Sequence, residues 1–87
     1  MPVSNLSLVE RIARILAGRA VSANAEGDES SAADLVDSIW RDHRDDALAI
    51  IRTLREPDQA MAAAGDAEIW ERMAEAAIAE AEAEAGS

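Results

Sequence analysis

From Ser31 to Glu56 the chain contains neither Gly nor Pro, and the nearest breaks are Gly27 before it and Pro57 after it. Nothing else in the sequence restricts the fold as much. At a helical advance of about 100° per residue, Val36, Trp40, His43, Ala47, Ile50 and Leu54 fall in one sector, at spacings of 4, 3, 4, 3 and 4. Ile39 and Ile51 flank that seam and widen it to the stripe that a core-facing bundle helix needs. Ser31 followed by Asp34 supplies a start, and Pro57 keeps Glu56 out of the helical region, so one helix is predicted over residues 31–55.

The same punctuation divides the rest of the chain. Ser7 and Glu10 have capping-box spacing around Leu8, Val9, Ile12, Ile15 and Leu16, which predicts a first helix over residues 5–20. Gly18 and the acidic loop at 22–30 (SANAEGDES) end it. A short helix over 58–64 stops at Gly65, where a left-handed residue is expected after the helix end. Asp66 can cap a final helix over 67–83, with Ile69, Trp70, Met73, Ala77 and Ile78 on its apolar side. The tail at 84–87 has no apolar face beyond alanine and is expected to fray. With no Phe, no Tyr and no period-two run, strands are not expected. The reading is a single all-α domain over residues 1–87, a small bundle of three main helices plus the short connector.

Composition narrows the chemistry. A chain of this length buries only about 60–65% of the surface its unfolded form exposes, so its core must be thin. Zero cysteines remove disulfides and a single histidine nearly removes zinc, leaving helix packing, alone or with self-association, to stabilise the fold. Glu10, Arg11 and Arg14 interrupt the first apolar stretch, which therefore does not read as a signal peptide. No window approaches the roughly 18 uncharged apolar residues of a membrane span, so a cytoplasmic protein is expected. The net charge of −10 is graded along the chain. Residues 1–22 carry three Arg against Glu10, residues 23–55 eight acids against four Arg, and residues 56–87 nine acids against Arg72. Such a gradient disfavours nucleic acid and anionic membranes as partners. All eight basic residues are Arg, which suits GC-rich bacterial coding.

Several constellations were tested against their chemistry. Arg41, Arg44, Arg52 and Arg55 share an arc of roughly 80° beside the seam, and as a row of guanidiniums they are candidates for protein contact. An i, i+4 ladder of Asp37, Arg41 and Asp45, with Glu56 four residues after Arg52, would neutralise the row instead. Trp40 and Trp70 are expected as core anchors and, in the sharper reading, as contact hot spots. Met61 and Met73 read as core filler. His43 sits in the seam and reads as a packing residue, because no second His or Cys completes a transition-metal shell. Taking Gly27 as the turn of a calcium loop places Ser22, Asn24 and Ala33 at ligand positions, and the match fails. A helix-turn-helix reader at 61–78 would offer DNA Glu68, Glu71, Glu75 and Arg72, a set that repels it. No residue is expected to serve catalysis, a cofactor or a metal.

The order ERIARIL, Trp40, DDALAIIRTLREP, Met61 with Gly65, and IWERMAEAAI resembles a set of short bacterial and prophage-like helical proteins of unassigned function. The resemblance covers about 70 of the 87 residues. These are packing motifs, and the family tends to have an aromatic where His43 stands. The expected function is a non-enzymatic helical module for protein interaction, with a protein partner or a second copy. The alternative is an acidic charge mimic that blocks a basic nucleic-acid-binding protein, and an enzyme with an unrecognised site ranks third.

Overall fold

The computed structural model describes residues 3–24 and 32–85. The expected cap at Ser31, most of the 22–30 loop and the last two residues of the tail lie outside them. The described chain forms α1 (Leu8–Asn24), α2 (Ala32–Ile39), a 3₁₀ turn (Trp40–His43), α3 (Arg44–Leu54), α4 (Gln59–Ala64) and α5 (Ala67–Ala85). No described residue is in a strand, so the fold class is all-α. Where the sequence suggests one domain, contacts gather into two compact units, one ending at Ala47 and the other beginning at Leu48. Each is described by itself.

In the first unit, the Glu10 backbone N–H donates to Ser7 Oγ at 3.2 Å, which starts α1 at the expected cap. The helix does not stop near residue 20; it passes through Gly18 and ends at Asn24. An interior glycine costs about 1 kcal/mol against alanine, but α1 packs on both α2 and the 3₁₀ turn, and that packing outweighs the propensity. The buried line on α1 is Val9, Ala13 and Ala17, an i, i+4, i+8 row of small residues that lets its neighbours approach. Ile15, expected on the same face, is 64% exposed. It lies about 200° around the helix from Ala13, so it cannot join that row.

The helix expected over 31–55 is interrupted. At Ile39 (φ −114°, ψ −7°) the α2 geometry gives way to the 3₁₀ turn Trp40–His43, and α-helix resumes at Arg44. A 3₁₀ turn closes in about 3.0 residues, so a seam extrapolated at constant pitch fails across it. Trp40 and Ala47 are buried as expected, with Val36 and His43 half-buried. Beyond Ala47 the buried position is Ile51, while Ile50 and Leu54 are each 39% exposed.

In the second unit, the Arg55 N–H bonds to Ile51 O at 3.1 Å and ends α3 just before Pro57. Asp58 Oδ1 accepts from the Met61 N–H at 2.9 Å and caps α4. Asp66 Oδ1 accepts from the N–H groups of Glu68 and Ile69, at 3.0 and 3.1 Å, and caps α5. Gly65 is not left-handed: its φ of −155° and ψ of −148° are extended. Because the next residue is already the cap of α5, the chain straightens between the two helices instead of winding past the end of the first. The final helix continues to Ala85, and burial of Ala74, Ile78 and Ala81 keeps its distal half helical beyond the expected end at 83.

A Cβ placed on Gly18 would meet Val36 Cγ2 at 3.9 Å, an ordinary contact. Gly18→Ala should therefore stabilise the protein by about 0.5–1 kcal/mol, read as a rise in Tm of about 3–6 °C in thermal unfolding. A fall in Tm would mean that α1 and α2 need the bare backbone.

Candidate protein-contact surfaces

Trp40 is only 4% exposed, so of the two tryptophans it is the core anchor. Its ring is surrounded by guanidinium groups, with the Cζ atoms of Arg41, Arg14 and Arg44 at 4.5, 5.2 and 5.4 Å from the ring centroid. The negative face of the indole attracts each cation. Arg14 is further fixed by ion pairs from Nη1 to Asp37 Oδ1 at 2.6 Å and from Nε to Glu10 Oε2 at 2.8 Å. Hydrogen bonds to Asp37 first and Glu10 second push its pKa above the ordinary arginine value. Arg44 Nε is buried without a hydrogen-bond partner, and the indole ring supplies the electron-rich surface beside this cation.

This arrangement replaces the expected ladder. Asp37 pairs with Arg14 on α1, Arg41 turns to the ring of Trp40, and neither an Arg41–Asp45 nor an Arg52–Glu56 pair is among the close ion pairs of the described residues. The four arginines of the row divide between the two units. Exposed Arg41 and half-buried Arg44 belong to the first unit and lie over the ring of Trp40, and Arg52 and Arg55 are exposed in the second.

The second unit contains a groove of about 180 Å³, lined mainly by Pro57, Met61, Gly65, Ile69, Trp70 and Met73. Helices α4 and α5 form its sides, and the extended Gly65 joins them without adding a side chain. Trp70 is 36% exposed, and its Nε1 donates to the Leu54 carbonyl at 2.5 Å, which fixes the ring at the edge of the groove. Ile69 and Met73 are 47% and 65% exposed. Both methionines and Ile69 were expected in the core. A signal against that was present in the sequence: from Ile69 to Ile78 the apolar residues of α5 span about 180° of arc, more than one thin neighbour can cover. The inward side goes to Ala74, Ile78 and Ala81, and the Ile69–Met73 side is left outside.

Among the described residues no group of three His, Cys, Asp or Glu is placed to hold a metal. No helix among them is long and apolar enough to cross a membrane. His43 is half-buried in the 3₁₀ turn, as a boundary packing residue would be. No family model, curated protein or solved structure matches the chain.

The contrast between the two surfaces can be measured. Removing the buried ring by Trp40→Ala should cost about 3–5 kcal/mol and abolish the cooperative thermal transition. Met73→Ser should change stability by less than about 0.5 kcal/mol. Equal losses of helical circular dichroism in the two variants would contradict this assignment of core and surface.

Proposed function

We propose that this chain is a non-enzymatic helical module that works by protein contact, and that the groove between α4 and α5 is its contact surface. The observation that carries the reading is the exposure of Ile69, Trp70 and Met73 around an apolar depression. Contiguous exposed apolar surface of this kind is characteristic of interaction sites. Trp70 suits an anchoring role, because a large ring with two rotatable bonds loses little entropy on binding, and its hydrogen bond to Leu54 already fixes it.

A second reading has its own observation. Glu68, Glu71, Glu75 and Glu82 are exposed along one face of α5, roughly opposite Ile69 and Met73. An acidic charge mimic would use that face. Photo-crosslinking in cells separates the two readings. A crosslinking side chain at position 69 or 73 should yield covalent adducts with protein, while one at position 75 should yield few. Adducts concentrated at position 75 would instead favour the charge mimic, and none at 69 or 73 would overturn the contact surface.

A further inference from the structure

The outer face of α1 offers an occupant for the groove. Arg11, Ile15 and Arg19 stand at i, i+4 and i+8 on that helix, all exposed, with Ile15 at 64%. They form a short stripe of one branched apolar side chain between two cations, in the segment where three Arg outnumber the single Glu10. The groove has the converse pattern. Ile69, Met73 and Glu80 fall within about 40° of arc on α5, so the apolar stretch of that face runs on to an exposed carboxylate about 10 Å beyond Met73. Exposed Ala76 and half-buried Ala77 lie between them, and neither is large enough to hold a second helix away. At the other end, Asp58 and Asp66 cap the two helices and keep their negative charge beside the lining. An apolar depression with acids at both ends thus matches an isoleucine with arginines on both sides.

We infer that the groove of one copy receives the Arg11–Ile15–Arg19 face of a second copy. The inference rests on the groove being the contact surface and names its occupant. Ile15 and Met73 are exposed to nearly the same extent, 64% and 65%. The charge gradient favours this pairing over like with like. From Leu48 onward the chain carries nine acids against three Arg, so two grooves would repel each other, whereas groove and α1 attract. The contact is heterologous, with different patches meeting. It also gives one cause to the exposure of Ile15 and Met73.

Sedimentation of the full chain tests it. Wild type should associate as concentration rises, and the association should weaken with salt. Ile15→Ser and Met73→Ser should each weaken it by at least about tenfold while leaving helical circular dichroism unchanged. The double reversal Arg11→Glu with Arg19→Glu, and separately Glu80→Arg, should each weaken self-association, and mixing these two variants should restore it. Glu75→Arg, on the far face of α5, should have no effect. A wild type that stays monomeric, association indifferent to Ile15→Ser, or failure of the mixed variants to associate overturns the inference. If adducts still form at positions 69 and 73 in cells under those outcomes, the groove remains a contact surface with a different partner. Adducts absent there remove both.

Discussion

Among the described residues, the core of the first unit apart from the ring of Trp40 consists of Val9, Ala13, Ala17 and Ala47, so the placement of that one ring decides how its helices meet. Alanines bury little area each and leave helices free to slide. The indole supplies the bulk and, through its negative face, a means of organising charge. Arg14 comes to it from α1, Arg41 from the 3₁₀ turn and Arg44 from the start of α3. Asp37 then ties Arg14 to α2. The ion pair belongs to an exposed carboxylate and on its own would do little. It works here by holding a cation whose other face is already engaged with the ring.

The break in the long helix follows from the same ring. A continuous α-helix would carry Trp40 and His43 along one seam at fixed pitch. The structure instead tightens these residues into a 3₁₀ turn, accepting poorer hydrogen-bond geometry where a large side chain and its surrounding guanidiniums must be fitted. Downstream of the turn the buried position is Ile51, outside the extrapolated centre of the seam. The arginine ladder fails for a related reason. Local i, i+4 pairing contributes only a few tenths of a kcal/mol, and the contacts of Asp37 with α1 and of Arg41 with the indole displace it.

What could be read from the sequence was what local chemistry decides. Ser7 and Asp66 cap where they were expected to, because each offers a side-chain oxygen to an N–H two or three residues on, whatever the tertiary context. Pro57 likewise ends α3 through sterics confined to its neighbour. The features that escaped depend on partners distant in the chain. Whether Gly18 ends a helix turns on α2 packing against α1, and whether Ile15 is buried turns on which side those neighbours occupy. Gly65 was assigned a left-handed conformation from its place after a helix, but the cap at Asp66 comes one residue later and sets an extended path. For the candidate site, Trp70 was legible as a large apolar group. The groove beside it was not, because it depends on Pro57 and Met61 from outside α5.

The second unit shows why a thin core leaves large apolar side chains at the surface. Its inward row on α5 contains only one large side chain, Ile78, between Ala74 and Ala81. Small residues allow close packing but cover little of a wide apolar arc, so Ile69, Trp70 and Met73 have no interior of their own to enter. The same holds for Ile15, stranded opposite the alanine row of α1. Such economy leaves a cationic stripe in the part of the chain with net positive charge and an apolar groove in the most acidic part. In the proposed contact, separating the charges along the sequence would keep each kind of surface from pairing with itself, so the gradient would select which faces meet.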